Sequence, residues 1–207
     1  MPFTNSTQTP SVVKVVKQNN QYSLTINGQP YEVRGVGLGY TNDEDIVALK
    51  EAGGNTFRTW ELTHIEQELA MAKKLGLMIA VGIPTGKELL GFDYNDKEAV
   101  AEQFKRVTNV IEKYKHHPNV LLWVINNEPN LLFDEKEKLK EVNPKVYAAM
   151  GDIIDYIHKS DPNHPATFSL AGPNPKAIAQ VLKYAPNIDI LSVQSYGGLV
   201  TLPDSIT

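Results

Sequence analysis

The segment from residue 117 to residue 129 reads HPNVLLWVINNEP and contains the clearest β-strand signal in the chain. Its middle, Val120–Ile125, is apolar without a break and leads directly into the sequence Asn-Asn-Glu-Pro. A strand that is apolar on both faces is typical of a parallel sheet covered by helices. The polar residues after it are either an ordinary turn or the edge of a site, and the carboxylate among them, Glu128, is the first candidate for chemistry.

Apolar or β-branched runs of the same kind recur on both sides of this strand, with helical spacing between them. Where neighbouring runs are closest, their starts lie about 22 residues apart, which suits one strand, one helix and their loops. This repeat predicts right-handed crossovers and a parallel sheet. The five other runs are VRGVGLG (33–39), NTFRTW (55–60), LMIAVGIP (77–84), ATFSLAG (166–172) and IDILSVQSY (188–196).

Capping residues mark the boundaries of the predicted helices. Thr41 and Thr63 each precede a glutamate by three positions, and this capping-box pattern predicts the starts of the first two helices. Asn143 and Asn174 each precede a proline, which predicts the starts of the fourth and fifth helices. The third helix is predicted over 100–114, where apolar residues recur at steps of three and four.

A repeated strand–helix unit occurs in two architectures, which are the doubly wound sheet and the (β/α)8 barrel. A dinucleotide-binding doubly wound sheet requires G-x-G-x-x-G after its first strand, whereas this chain reads GVGLGYT over 35–41 and lacks the pattern. We therefore predict an α/β fold of the (β/α)8 TIM-barrel type. It is expected to be incomplete, because the sequence supplies about six βα units by Tyr196 and a whole barrel needs about eight.

Three regions are predicted along the chain. Residues 1–10 are expected to be a disordered tail, and residues 11–33 a short N-terminal β-meander packed on the barrel. Residues 34–207 are expected to form the partial barrel. The strands of the meander, joined by polar turns, are predicted over 12–17, 22–26 and 31–33.

Composition excludes several classes of function. The chain has 207 residues, with Lys+Arg 20, Asp+Glu 24 and a formal net charge of −4, so it lacks the basic excess of a nucleic-acid-binding protein. It has no cysteine, and its 5 histidines show no ligand spacing, so we expect neither a metal site nor a cofactor. No apolar run approaches the roughly 18 residues of a membrane span. Residues 1–10 lack the apolar middle of a secretory signal, so the chain is expected to be cytoplasmic, or secreted or periplasmic with its leader removed.

The predicted barrel strands end in side chains that suit a polyol. Arg58 and Trp60 follow the second strand, Asn127 and Glu128 follow the fourth, and Tyr196 follows the sixth. Amides and carboxylates bind hydroxyl groups, and an aromatic face offers a sugar ring an apolar surface. Because the carboxyl ends of barrel strands meet at one face, we expect these five side chains to lie together.

The segment HPNVLLWVINNEP resembles the fourth-strand signature of clan A glycoside hydrolases. It is most similar to the catalytic barrel of family 2, the β-galactosidase, β-glucuronidase and β-mannosidase group. The resemblance implies an enzyme that hydrolyses or transfers O-glycosyl bonds of β-linked carbohydrates by a retaining mechanism. Four more segments resemble the first, second, fifth and sixth strands of that barrel: YEVRGVGLGY (31–40), NTFRTW (55–60), SDPNHPATF (160–168) and SVQSYG (192–197).

The resemblance also implies a role for each candidate residue. Glu128 matches the general acid/base, and Asn127 matches the asparagine that binds the sugar 2-hydroxyl. Arg58 and Tyr196 match residues that surround the nucleophilic carboxylate, and Trp60 is expected to line the sugar subsite.

The family's nucleophile is a glutamate at the end of the seventh barrel strand. This chain reaches Thr207 before such a strand, so we expect it to be truncated and to lack the nucleophile. Glu61 is the one further carboxylate near the rim, but the second strand lies far around a barrel from the seventh.

Two departures from family 2 keep other readings open. The first strand has Gly37-Leu38-Gly39-Tyr40 where that family usually has Asn-x-His, and no β-sandwich domain precedes the barrel, so family 5 and the β-1,3-glucanosyltransferases are alternatives within the clan. Tyr40 is a further candidate for the sugar subsite. An alternative of another class is a catalytically inactive carbohydrate-binding half-barrel that forms a homo-oligomer through its open edges. The charged stretch 134–141 is expected to be a solvated loop over the barrel mouth, or to shape an acceptor subsite.

Overall fold

The computed structural model describes residues 9–39 and 42–196. Within these residues the strands are β1 (Val13–Gln18), β2 (Gln21–Ile26), β3 (Gln29–Tyr31), β4 (Gly35–Gly37), β5 (Thr56–Arg58), β6 (Met78–Ile83), β7 (Val120–Asn127), β8 (Ala166–Ala171) and β9 (Ile190–Gln194). The helices are α1 (Asp43–Glu51), α2 (Ile65–Leu75), α3 (Lys97–Tyr114), α4 (Lys145–Ser160) and α5 (Pro175–Tyr184), with a short 3-10 helix at Glu88–Leu90. No helix in the described part of the chain is both long and apolar enough to cross a bilayer.

Six of the strands form one parallel sheet in the order β4-β5-β6-β7-β8-β9. Each strand pairs in parallel with the next strand along the chain, which is the order of a barrel wall, whereas a doubly wound sheet reverses its order partway. The predicted incomplete (β/α)8 barrel is therefore confirmed. The two edge strands, β4 and β9, expose Val36 and Leu191, and pairing of such edges between copies of the chain stays a prediction.

The core lies between the sheet and the helices that cover it. Every residue of β6 is buried, and the largest side chains of the core include Phe57, Trp123 and Phe168, all of them inaccessible to solvent. The indole of Trp123 donates a 2.7 Å hydrogen bond to Asp161, so this buried ring has a partner for its one polar atom. The predicted apolar face of α3 is confirmed, since Val107 and Ile111 are fully buried against this core.

Two of the four predicted helix caps are wrong. The first helix is capped by Asn42, whose side chain accepts a 2.8 Å hydrogen bond from the Asp45 amide, and Thr41 itself lies outside the described residues. At α2 the residue before the helix is His64, with no side-chain cap. The two caps predicted from an asparagine before a proline agree better with the structure. Asn174 caps α5 as predicted, and Asn143 accepts from the Lys145 amide although Pro144 is the residue directly before α4.

The N-terminal strands form a separate antiparallel meander, in the order β1-β2-β3. Its first two strands agree with the sequence expectation to within one residue at each end, but the third strand was expected over 31–33 and pairs instead over Gln29–Tyr31. The reason is the turn between β2 and β3. Asn27 and Gly28 both adopt a left-handed conformation, with φ of 51° and 78°, so the hairpin loop has only two residues and Ile26 pairs directly with Gln29.

The meander lies against the amino-terminal ends of the barrel strands. Val13 is fully buried in a small apolar cluster with Met78 and Leu121, at the beginnings of β6 and β7. The Val13 amide donates a 2.7 Å hydrogen bond to the Asn163 carbonyl, just before β8. Tyr31 donates a 3.0 Å hydrogen bond to the carbonyl of Asn55, just before β5. The meander therefore covers the face opposite to the one on which the strand ends meet. The predicted tail, residues 1–10, falls mainly outside the described residues.

Glu112 of α3 links this helix to the end of α4. Its carboxylate accepts hydrogen bonds from Lys115 (2.8 Å), Tyr156 (2.9 Å) and the Ser160 hydroxyl. The hydrogen bond from Lys115, followed by that from Ser160, lowers the pKa of Glu112 to about 2. A lowered pKa in the folded state means that this carboxylate stabilises the fold above the ordinary glutamate pKa and stops doing so as the pH falls toward 2.

Glu112→Gln is therefore expected to destabilise the protein near neutral pH but not near pH 2. Because the carboxylate is largely exposed, we expect a loss of at most about 1 kcal/mol in the free energy of unfolding. Urea unfolding followed by circular dichroism, at intervals from pH 7 down to pH 2, measures the difference between variant and wild type. A difference that is the same across this whole pH range would show that the Glu112 charge does not contribute.

Candidate active site

The candidate site lies where the barrel strands end. Arg58, Asn127 and Gln194 are the last residues of β5, β7 and β9, respectively. Because the strands are parallel and curl around one axis, their carboxyl ends bring these side chains together although they are far apart in sequence. Glu128 follows β7 directly.

Asn127 is the centre of the polar cluster. Its side-chain oxygen accepts hydrogen bonds from Arg58 Nη2 (2.8 Å), from Trp60 Nε1 (3.1 Å) and from Gln194 Nε2. Arginine and tryptophan side chains can only donate, so the amide oxygen must face them and the amide nitrogen must point the other way. That nitrogen, Nδ2, lies 3.5 Å from Glu128 Oε2. Side chains from β5, from the segment after it and from β9 thus fix the orientation of the Asn127 amide, so that its nitrogen is the atom beside Glu128.

The backbone around Glu128 departs from regular strand geometry. Asn126 and Glu128 both have positive φ, 70° and 55°, in the left-handed region that side-chain-bearing residues rarely adopt. The Glu128 amide donates a 2.7 Å hydrogen bond to the Ser169 carbonyl in β8, and the Asn126 side chain accepts a 2.6 Å hydrogen bond from the Asn127 amide. These bonds hold a conformation that costs about 1–3 kcal/mol per residue, and such strain is concentrated at functional sites.

Arg58 supplies a half-buried positive charge. Burial lowers the pKa of its guanidinium, and the nearby Tyr196 and Glu128 oppose that shift. The guanidinium lies 5.2 Å from the centroid of the Trp60 ring. Its Nε is buried without a hydrogen-bond partner among the described residues. This leaves one unused donor on a cation next to Glu128, an arrangement that suits a further anionic or hydroxyl group.

Glu128 lines a pocket of about 550 Å³ at this end of the barrel. Tyr196 and Gln194 line the same pocket, and the Tyr196 hydroxyl donates a 2.6 Å hydrogen bond to Gln194 Oε1. Glu128 is the only carboxylate among the described residues that line it. Within the described ranges, no group of three or more histidine, aspartate or glutamate side chains is placed to hold a metal ion.

The structure brings together all five residues that the sequence nominated. Glu128, Asn127 and Tyr196 lie at the pocket or beside it, while Arg58 and Trp60 contact it through Asn127. The indole of Trp60 is held from the other side by the backbone of β4, where a Cβ on Gly37 would lie 2.3 Å from the ring. Tyr40, the further candidate, lies outside the described residues.

Gln194 is recognisable from the sequence as a strand-end residue, but it was not among the nominated site residues. It stands at a strand end next to Tyr196, but an uncharged amide in an apolar run gave no reason to assign it a role. In the structure it bonds to Asn127 through its nitrogen and to Tyr196 through its oxygen, so it joins the last described strand to the centre of the cluster.

A family model described as "Glycosyl hydrolases family 2, TIM barrel domain" matches residues 16–197. The chain belongs to glycoside hydrolase family 2. The match covers most of the sequence and both halves of the site, so the family 2 resemblance is confirmed over family 5 and the β-1,3-glucanosyltransferases. The family is one of glycosidases with a retaining mechanism.

Curated relatives of this family 2 chain include two β-glucuronidases. That of Paenibacillus borealis is 26% identical over 175 residues, which cover 80% of this chain and 27% of the relative. That of Homo sapiens is 25% identical over 183 residues, covering 83% of this chain and 26% of the relative. The chain thus spans about a quarter of the length of these relatives.

A solved structure shares the fold. The β-glucuronidase from Ruminococcus gnavus in complex with C6-substituted uronic isofagomine superimposes with a TM-score of 0.69 at 17% sequence identity, covering 91% of this chain and 32% of that one. At this identity the likeness establishes the fold alone.

Proposed function

We propose that this family 2 domain hydrolyses or transfers O-glycosyl bonds of β-linked carbohydrates, with Glu128 as the general acid/base. The observation that carries the proposal is the orientation of Asn127. Three donors hold its oxygen, so its amide nitrogen points away from them and lies 3.5 Å from Glu128 Oε2. A sugar that places its glycosidic oxygen at Glu128 would meet the N–H groups of this nitrogen with its neighbouring 2-hydroxyl.

In the first step of this reaction a second carboxylate bonds to the anomeric carbon, while protonated Glu128 gives its proton to the glycosidic oxygen and the C–O bond to the leaving group breaks. In the second step the Glu128 carboxylate takes a proton from the water, or other acceptor, that attacks the anomeric carbon, and the bond to the second carboxylate breaks. Asn127 donates a hydrogen bond to the 2-hydroxyl, and that bond strengthens as the anomeric carbon gains positive charge.

Arg58 and Tyr196 are proposed to receive the second carboxylate. A retaining glycosidase needs a nucleophilic carboxyl about 5–5.5 Å from the acid/base. The Nε of Arg58, which has no partner among the described residues, is a donor that would orient such a group, and the Tyr196 hydroxyl would exchange its hydrogen bond to Gln194 for one to the carboxylate. Among the pocket-lining residues that the structure describes, Glu128 alone is a carboxylate, so the nucleophile is proposed to come from another part of the full-length protein.

The substrates proposed first are β-D-glucuronides, because the curated relatives are β-glucuronidases. The test is hydrolysis of 4-nitrophenyl β-D-glucuronide, β-D-galactoside and β-D-mannoside by the full-length protein, with nuclear magnetic resonance to follow the anomer released first. Release of the β-anomer supports the proposal. Release of the α-anomer would contradict the retaining assignment, and cleavage of none of the three would contradict the proposed activity.

Asn127→Ala is expected to lower kcat/KM on 4-nitrophenyl β-D-glucuronide by about 100-fold, because it removes a hydrogen bond that strengthens in the transition state. The same change should have little effect on the 2-deoxy analogue, which has no hydroxyl at that position. Steady-state kinetics on both substrates provides the measurement, and the analogue is its own control. An equal loss on both substrates would mean that Asn127 acts through the fold of the site and not through the 2-hydroxyl.

A further inference from the structure

Strand β7 contains one extra residue just before Glu128. Between its pairings at Val124 and Asn127, three steps along β7 face only two steps along β8. Such a bulge breaks the alternation of side chains along a strand, and bulges are over-represented next to active sites. The bulge contains Asn126, whose φ is 70°. The conformation of Asn126 therefore sets the direction in which the next two residues leave the strand.

The side chain of Asn126 is buried and uses both ends of its amide. Its oxygen accepts a 2.6 Å hydrogen bond from the Asn127 amide, and its nitrogen donates a 3.3 Å hydrogen bond to the carbonyl of Gly86. The first bond lies within the bulge, and the second joins the bulge to the loop 84–96 between β6 and α3. Backbone pairing between β6 and β7 has ended by this point, so the side chain continues the connection where the sheet stops.

Gly86 is itself held from two directions. Its amide donates a 2.6 Å hydrogen bond to Oε1 of Gln103, a buried residue of α3. Its carbonyl also accepts a 2.7 Å hydrogen bond from the hydroxyl of Tyr94, whose buried ring packs on Phe92 with 4.7 Å between the ring centroids. Hydrogen bonds thus connect α3 to the bulge through Gly86 and Asn126, and we call this connection the Asn126–Gly86 link.

We propose that Asn126 is a positioning residue for Glu128. The inference rests on the proposed function, in which the Glu128 carboxyl has to lie within hydrogen-bond reach of the glycosidic oxygen. On the β8 side, the Glu128 amide donates a hydrogen bond to the Ser169 carbonyl. On the β6 side, the same segment is held by the Asn126–Gly86 link. Because left-handed residues are strained, loss of the link allows the bulge to relax and moves Glu128 away from its position.

Asn127 is held independently of this link. Its side-chain oxygen is bonded to three donors that belong to other segments, Arg58, Trp60 and Gln194. Loss of the link is therefore expected to impair proton transfer by Glu128 and to spare the contact of Asn127 with the sugar 2-hydroxyl. This difference separates a positioning role from a general disturbance of the site.

Asn126→Gly in the full-length protein tests the inference, because glycine adopts a left-handed φ readily and only the side chain is lost. We expect kcat on ethyl β-D-glucuronide to fall by about 30-fold, since a misplacement of about 1 Å can cost about 100-fold. The first step on 2,4-dinitrophenyl β-D-glucuronide, followed by rapid-mixing absorbance, should change by less than about twofold, because this leaving group departs without a proton. The preference for a glucuronide over its 2-deoxy analogue should stay the same.

Two further variants show whether the link acts as a unit. Gln103→Met removes the acceptor of the Gly86 amide and leaves Asn126 unchanged, so it should give a smaller loss with the same dependence on the leaving group. Asn187→Gly is the matched control, because the Asn187 side chain also donates to a glycine carbonyl, that of Gly151, but lies before the start of β9. It should leave both rates unchanged.

Equal losses for the two leaving groups in Asn126→Gly, or a loss of the same size in Asn187→Gly, would overturn the inference. Hydrogen exchange of residues 125–131, measured by mass spectrometry, reports on the link without turnover. It should be faster in Asn126→Gly and in Gln103→Met than in the wild type, and unchanged exchange would also overturn the inference. Faster exchange in both variants of a full-length protein that cleaves no glycoside would show that the proposed function fails while the link stands.

Discussion

Glu128→Gln in the full-length protein is expected to lower kcat on alkyl β-D-glucuronides by about 1,000-fold, within the range usual for loss of a general acid/base. An alkyl alcohol leaves as a poor anion unless it receives a proton, and glutamine cannot give one. A 2,4-dinitrophenolate leaves without a proton, so the first step on a dinitrophenyl glucuronide should be nearly unaffected. The second step still lacks its base, so the variant should release one burst of dinitrophenolate and then turn over slowly.

Rapid-mixing absorbance with dinitrophenyl glucuronide, and steady-state kinetics with the alkyl substrate, measure the two effects. Added azide should restore the second step, since this anion attacks the anomeric carbon without a base. Glu61→Gln is the matched control, because Glu61 is an exposed carboxylate in the segment after β5 that lines a separate pocket of about 100 Å³. A loss in Glu128→Gln that is the same for both leaving groups would remove Glu128 from proton transfer.

Gly82→Ala is expected to lower the free energy of unfolding by about 3 kcal/mol, a large loss for the addition of one methyl group. Gly82 lies in β6, and a Cβ there would sit 2.0 Å from the Thr59 carbonyl oxygen and 2.8 Å from the Trp60 Cα. These are backbone atoms of the neighbouring chain segment, which cannot move aside as a flexible side chain can. The shift that relieves the clash would carry Trp60 with it and disturb its hydrogen bond to Asn127.

Urea unfolding measures the stability loss, and binding of methyl β-D-glucuronide measures the displacement at the site. Gly39→Ala is the control, because the nearest atoms to a Cβ there belong to the Trp60 ring at 3.8 Å, an ordinary contact distance. Equal stability of the two variants would show that β6 tolerates the extra methyl and that the contact with Thr59 does not restrict it.

Much of the barrel was predictable because its strands are buried on both faces. A run such as Val120–Ile125 has to be apolar throughout, and the sequence therefore marks it without knowledge of its neighbours. The position of the site followed from the same pattern, since parallel strands end at one face. Glu128 and Arg58 were candidates as charged residues at the ends of such runs, but their assigned roles came from the resemblance to family 2.

The connections within the site were less predictable, because they depend on atoms that are distant in sequence. Trp60 was expected to line the sugar subsite, which stays a prediction, but the hydrogen bond from its indole N–H to Asn127, 67 positions away, could not be predicted. Gln194 lies equally far from Asn127, and its position at a strand end did not reveal its role. The error at β3 has a local cause. A two-residue turn at Asn27–Gly28 brings the chain back sooner than the apolar pattern suggested.

The meander that covers the amino-terminal ends of the barrel strands has a consequence for how the chain folds. Ser11 bonds to the carbonyl of Pro118, 107 positions later, and Lys14 reaches the carbonyl of Pro162, 148 positions later. At about 5–20 residues per second, the ribosome needs roughly 5–20 s to make the first of these partners. The strands of the meander therefore emerge before their docking surface and wait for it, and closure of that face is a late event in the co-translational folding of this domain.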